Sequence, residues 1–246
     1  AQTGTGKTAA FLISLFTRMV RNPAVDPGNS PQALIIAPTR ELADQIYHEA
    51  ERLGKFTGFR ALAVYGGIDY EKQREALAKG VDVLIGTPGR LIDYYKQHVY
   101  SLKKTRYLII DEADRMFDMG FIDDLRYLLK KLPDYTKRQS MLFSATLSYR
   151  VMELAYEHMN LPEKISITPE QVTVEKVEQV LYHVGKHEKL PLLLGLLVRE
   201  APARALIFVN TRRAADMVVE RLNRNNWKAQ AITGDIMQKK RLRILG

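Results

Sequence analysis

The opening residues, Ala1-Gln2-Thr3-Gly4-Thr5-Gly6-Lys7-Thr8, have the types and spacing of a phosphate-binding loop that leads into a helix. Gly4 and Gly6 let the backbone curl so that successive amides point at phosphate oxygens, and the helix N-terminus adds favourable partial charge. Lys7 supplies a point charge for the outer phosphates, and Thr8 offers a hydroxyl to magnesium. The strict pattern has glycine where this chain has Ala1, so the match is qualified. A second cluster answers the first. Asp111-Glu112 follows Tyr107-Leu108-Ile109-Ile110, a run apolar enough to be a strand buried on both faces, which a surface pair of carboxylates would not follow. There Asp111 can hold magnesium and Glu112 can accept a proton from an attacking water. Loop and strand-terminal carboxylates together form the signature of a P-loop nucleotide-hydrolysing enzyme, with magnesium and ATP as its natural ligands.

Such groups need a scaffold. Short apolar, β-branched runs at 33–37, 61–65, 81–85, 107–110 and 141–143 alternate with stretches of helical period, which predicts an α/β fold with a parallel sheet. The first helix is read over 7–20, with Phe11, Leu12, Leu15, Phe16 and Met19 on one stripe facing the sheet. Each expected strand runs into a polar or glycine-containing cluster: Pro38-Thr39-Arg40, Gly66-Gly67, Gly86-Thr87-Pro88-Gly89-Arg90, Asp111–Asp114 and Ser144-Ala145-Thr146. The carboxyl ends of parallel strands lie along one edge, where ligands bind, so the clusters should converge on one rim. Residues 160–175 carry little periodicity and read as a linker. Beyond it the same pattern restarts, with strands expected at 180–184, 205–209 and 229–232 and helices near 187–199 and 212–225.

Composition bounds the answer. The chain has 246 residues, 46% of them hydrophobic and 26% charged, which fits a globular protein and argues against disorder. No apolar run is long enough to span a membrane, and the lack of any cysteine excludes disulfides, thiolate metal sites and cysteine nucleophiles, in keeping with a reducing cytoplasm. The net charge of +9 favours a polyanionic partner, and the surplus is +3 over residues 1–168 and +6 over the remainder. In the second part Arg212, Arg213, Lys239, Lys240, Arg241 and Arg243 cluster near expected strand and helix ends, a candidate binding face. His183 and His187 are four apart, but Gly185 interrupts the helix a metal site would need.

These residues carry a resemblance to the DEAD-box RNA helicases. The family's phosphate loop stands at Ala1–Thr8, with alanine first as here; Pro-Thr-Arg-Glu-Leu-Ala stands at Pro38–Ala43, the glycine pair at Gly66-Gly67, Thr-Pro-Gly-Arg at Thr87–Arg90, Asp-Glu-Ala-Asp at Asp111–Asp114 and Ser-Ala-Thr at Ser144–Thr146. Ile207–Thr211 and Gln238–Arg241 are similar to further family motifs. The resemblance implies a RecA-like ATP-binding domain over residues 1–168 and the beginning of a second RecA-like domain over 169–246. Magnesium-ATP would lie on Thr3, Gly4, Thr5, Gly6, Lys7, Thr8, Asp111 and Glu112, with Thr8 and Asp111 as the metal ligands. Lys7, Asp111, Glu112, Ser144 and Thr146 would be the catalytic set. Pro38, Thr39, Arg40, Gly66, Gly67, Thr87, Pro88, Gly89 and Arg90 would contact RNA. Asp114, paired with Ser144 and Thr146, would couple ATP state to domain closure. The polar groups on offer suit phosphates and 2′-hydroxyls rather than base edges, so RNA binding should be sequence-nonspecific. Tyr65, Tyr94, Tyr95, Phe117 and Phe143 lie near the clusters and could stack on bases, although packing is the simpler role for each.

Within the family, residues 147–151 and 233–245 resemble the bacterial RNA helicase B branch, whose members join the RNA degradosome through RNase E. The resemblance therefore implies an ATP-dependent RNA helicase acting in RNA degradation in the cytoplasm. Both ends of the chain read as cut. Family members carry a glutamine motif and a strand before the phosphate loop, and an arginine-rich motif beyond the second domain's first half. The 246-residue chain by itself is therefore expected to show at most trace RNA-stimulated ATP hydrolysis and no unwinding.

Overall fold

The computed structural model describes residues 6–24, 29–166, 178, 180–185, 187–234, 236 and 244. Two compact units divide the chain, Ala1–Pro169 and Glu170–Gly246.

In the first unit, α1 (Lys7–Arg21) follows Gly6, whose φ of +74° suits glycine. It buries Phe11, Leu12, Leu15, Phe16 and Met19, the stripe that its spacing predicts. Strands β1 (Ala33–Ile36), β2 (Ala61–Val64), β3 (Val83–Gly86), β4 (Tyr107–Ile110) and β5 (Gln139–Leu142) form one sheet in the order β2-β3-β1-β4-β5, and every pairing is parallel. β1, β3 and β4 are buried at every residue, as strands covered on both faces must be. Between them run α2 (Arg40–Gly54), α3 (Tyr70–Ala78), α4 (Pro88–Lys96), α5 (Ala113–Asp118) and α6 (Ile122–Leu129), and α7 (Tyr149–His158) follows β5.

Period-two alternation divides the core. Ala33, Ile35, Val83, Ile85, Tyr107 and Ile109 face α1 and α2, while Leu34, Ile36, Leu84, Leu108 and Ile110 face the layer holding Leu77, Leu91, Met116, Leu125 and Val151. Two strands begin elsewhere than hydrophobicity alone indicates. β5 starts at Gln139, because pairing with Tyr107 sets the register and an edge position tolerates the polar Gln139 and Ser140. β3 starts at Val83, opposite Ala33, leaving Val81 and Asp82 in the approach.

The second unit contains α8 (Lys189–Glu200) and α9 (Arg212–Arg224). The strands expected at 180–184, 205–209 and 229–232 do not form among the described residues. Leu181, Leu206 and Phe208 are 79%, 77% and 92% exposed. A parallel strand exists only with neighbours to complete its ladder and layers on both faces, and apolar sequence supplies neither by itself.

Candidate nucleotide and RNA site

All strands of the first unit point the same way, so the turns after them share one rim. At the end of β4 the Asp111 amide donates to the Ile36 carbonyl (3.0 Å), which carries the ladder one step past the strand and fixes a carboxylate that is only 3% exposed. Burial pushes the Asp111 carboxyl above its ordinary range. The Glu112 amide, donating to Asp111 Oδ1 at 2.9 Å, and the nearby Lys7 ammonium pull the other way without cancelling it. Glu112 then turns sharply, with φ +49° and ψ +51°, before α5 begins. A non-glycine residue in this left-handed region is held against its preference by roughly 1–3 kcal/mol, a strain often found where a side chain must be aimed. Its carboxylate meets Arg115 at 3.2 Å.

The exits of β4 and β5 are sewn together. Ala113 donates to the Phe143 carbonyl (3.0 Å), and the Asp114 amide donates to Ser144 Oγ (3.3 Å). Ser144 Oγ donates to the Thr146 carbonyl (2.6 Å). Thr146 gives Asp114 Oδ2 two bonds, from its amide and its hydroxyl, each 2.9 Å. Partial burial would raise the Asp114 carboxyl, but the bonds from Thr146, aided by Ser144 and the Arg115 amide, outweigh it and hold the group below its ordinary range. Two neighbouring carboxylates are thereby pushed apart, Asp111 up and Asp114 down.

The exits of β1, β2 and β3 form the rest of the rim. Pro38 is buried, and Thr39 caps α2, its hydroxyl accepting from the Leu42 amide at 3.3 Å. Arg40 reaches across to β2: a methyl group added to Gly66 would lie 3.2 Å from its guanidinium. Gly67 has φ +88°. Gly86 permits the closest approach, since a Cβ there would sit 2.6 Å from the Val64 carbonyl and 2.9 Å from Leu91. Thr87 also donates to that carbonyl (3.2 Å), and Pro88 opens α4 where a missing amide proton is harmless. Gly89 faces open space. Arg90 lies 4.7 Å from the Tyr70 ring centroid and 5.5 Å from that of Tyr94, and donates to the Tyr94 hydroxyl at 3.2 Å. That hydroxyl in turn donates to the Tyr70 carbonyl at 2.8 Å.

At the other part of the rim, Lys7 and Thr8 stand half-buried in the first turn of α1, and Phe11 rests on Phe143 with ring centroids 5.2 Å apart. Thr3, Gly4 and Thr5 lie outside the described residues, as do Lys239, Lys240, Arg241 and Arg243. Of the candidate stacking aromatics, Tyr65 and Tyr94 are buried, and Tyr95, Phe117 and Phe143 pack partly buried against the two cores. Sequence reasoning passes over Tyr70 and Phe11 as site residues, and names Gly86 only as part of the cluster after the third expected strand. Only Gly86 carried a visible signal, a glycine closing a strand just before a helix start.

The match to known proteins agrees with this arrangement. The family model described as DEAD/DEAH box helicase matches residues 1–154. The chain belongs to the DEAD/DEAH box helicase family. It is 53% identical over 246 residues to the ATP-dependent RNA helicase RhlB of Idiomarina loihiensis, covering all of this chain and 58% of that protein. Against the ATP-dependent RNA helicase RhlB of Xanthomonas oryzae pv. oryzae the identity is 52% over 248 residues, covering 43% of that protein. The ATP-dependent RNA helicase RhlB of Shewanella denitrificans gives 49% over 247 residues and 57%. The chain thus spans about half the length of the curated relatives it matches. Among the described residues no helix is long and apolar enough to cross a membrane.

Proposed function

We propose that this DEAD/DEAH box helicase chain is part of an ATP-dependent RNA helicase, with residues 1–168 as its RecA-like ATP-binding domain and 169–246 belonging to a second RecA-like domain. The observation that carries the reading is the pairing of Asp114 with Thr146 beside a buried Asp111 that feels Lys7. ATP and magnesium fit the residues present. Thr8 and Asp111 are hard oxygen donors, and the rise in the Asp111 carboxyl under burial is what a bound cation would offset. No group of three or more His, Cys, Asp or Glu able to hold a metal occurs among the described residues, and magnesium needs none when phosphates supply further oxygens. When bound, magnesium would neutralise charge developing on the phosphates.

The chain's own groups then have distinct tasks. Lys7, with Thr3, Gly4, Thr5 and Gly6, would hold the phosphates, and Glu112, aimed by its strained turn, would take the proton of the attacking water. Asp114, Ser144 and Thr146 tie the carboxylate turn to the end of β5, so a shift at one is felt at the other. Pro38, Thr39, Arg40, Gly66, Gly67, Thr87, Pro88, Gly89 and Arg90 would line up against an RNA sugar-phosphate backbone, since the β2-β3-β1 order makes their turns neighbours. The resemblance to the RNA helicase B branch extends the proposal to a cytoplasmic RNA-degrading assembly containing RNase E, which co-purification of the intact protein checks. The central test is ATP hydrolysis by the intact protein with RNA or DNA of equal length, together with separation of a short RNA duplex. RNA-specific stimulation and unwinding are expected. Glu112→Gln should retain ATP and RNA while turnover falls by about a hundredfold or more. Equal stimulation by DNA, or unaltered turnover in that variant, would overturn the reading.

A further inference from the structure

Arg90 stands in the first turn of α4, directly after the exposed Gly89. The positive end of a helix dipole disfavours a cation there, and a free arginine would sample many rotamers. Two tyrosines offset both effects. The Arg90 guanidinium lies over the Tyr70 ring, 4.7 Å from its centroid, and 5.5 Å from that of Tyr94. The two rings themselves meet at 4.9 Å, tilted by 41°. The Tyr94 hydroxyl accepts from Arg90 Nη1 at 3.2 Å and donates to the Tyr70 carbonyl at 2.8 Å. Burial pushes the Tyr94 phenol up, so its single proton stays for that carbonyl and its lone pairs are left for the guanidinium.

Tyr70 is held in its turn. It opens α3, whose cap Asp69 accepts from the Lys72 amide at 3.2 Å. One helical turn on, the buried Gln73 accepts from the Tyr65 amide (2.9 Å) and donates to the Tyr65 carbonyl (3.2 Å). That pair of bonds fixes α3 to the exit of β2, directly before Gly66-Gly67. The Tyr70 hydroxyl also accepts from Gln97, which caps the far end of α4. Tyr70 therefore ties the turn after β2 to the turn after β3, and Arg90 rests on the tie. Tyr94 is fully buried and offers no platform to a base. Among the described residues the one hydrogen bond of Arg90 is to Tyr94, which leaves the rest of its planar fork of donors for an anion. A fork of that shape matches a phosphate.

We propose that Tyr70 and Tyr94 are positioning residues that hold Arg90 ready for an RNA phosphate, so that binding need not freeze a free side chain. The proposal rests on the reading of Arg90 as part of an RNA interface and adds what fixes it there. The probe is a fluorescein-labelled single-stranded oligouridylate, titrated into the intact protein with a non-hydrolysable ATP analogue and read by fluorescence polarisation at fixed salt. Tyr70→Leu should weaken binding by roughly three- to tenfold, the cost of ordering one freed side chain. In RNA-stimulated hydrolysis it should raise the RNA concentration at half-maximal rate and leave the rate at saturating RNA unchanged. Tyr70→Phe, which keeps the ring and loses only the contact with Gln97, should bind like wild type. Because the tyrosine acts through Arg90, adding Tyr70→Leu to Arg90→Leu should weaken binding no further. Tyr94→Phe keeps the buried ring and loses the hydroxyl; it should weaken binding only where Arg90 is present, and it decides the matter if Tyr70→Leu fails to fold. Losses that add to that of Arg90→Leu, a lower rate at saturating RNA, or tyrosine variants that bind like wild type would overturn the proposal and leave the helicase reading standing. Arg90→Leu without effect would remove Arg90 from the interface and this proposal with it. Wild-type protein that binds no RNA would sink the helicase reading as a whole.

Discussion

Asp111 and Asp114 show how neighbouring carboxylates acquire opposite tendencies from their surroundings. Asp111, pushed up by burial, weakens the fold once it ionises: the penalty is absent below the ordinary carboxylate range and grows as pH rises through the higher folded value. Asp111→Asn should therefore raise the melting temperature at neutral pH, while ATP turnover by the intact protein is lost. The gain should vanish as pH falls below the ordinary carboxylate range, where wild type is protonated in both states. Asp114 has the opposite sign. Its folded value is depressed, so its contribution is present above the ordinary carboxylate range and lost as pH falls through the folded value. Differential scanning of wild type against Asp114→Asn should show a gap in melting temperature at pH 7 that closes on acidification. Both carboxylates were legible from their place after an apolar run. Their opposed shifts were not: that of Asp114 comes from the β5 turn, about thirty positions away, and that of Asp111 from its burial in the assembled sheet.

At the level of elements, the rim depends on close backbone approach as much as on polar groups. Gly86→Ala would force a methyl group within 2.6 Å of the Val64 carbonyl, a backbone atom that cannot swing away. Overpacking of this kind costs about 1–3 kcal/mol, and thermal melting should show it. Gly89→Ala, where an added methyl group meets nothing within 4 Å, should melt no lower than wild type. If Gly89 meets RNA as proposed, that same variant should lower RNA affinity without lowering stability. A variant that binds RNA normally would remove Gly89 from the interface. The stripe of α1 was legible because helical spacing and burial coincide at all of Phe11, Leu12, Leu15, Phe16 and Met19. The start of β5 was not, because Gln139 joins the sheet through its backbone pairing with β4 rather than through its side chain.

For the whole molecule, the two units differ in how far their sequence is realised as sheet. β1, β3 and β4 are buried on both faces, whereas residues 205–209 lack a ladder and expose Leu206 and Phe208. Hydrogen exchange followed by mass spectrometry should find the amides of β1, β3 and β4 the slowest in the chain and those of 205–209 among the fastest. Comparable protection in both would mean that the second unit closes its own sheet in solution. The sequence by itself determined what depends on local order: the alternation of strand and helix, the apolar stripes, and the polar cluster after each strand. Only the tertiary structure decided what depends on distant partners. The strand order β2-β3-β1-β4-β5 made Arg40 and Gly66 neighbours, Asp114 found Thr146, and Arg90 was stacked on Tyr70. It also withheld a ladder from residues 205–209, because apolar residues can favour a strand but only neighbouring backbone can complete its hydrogen bonds.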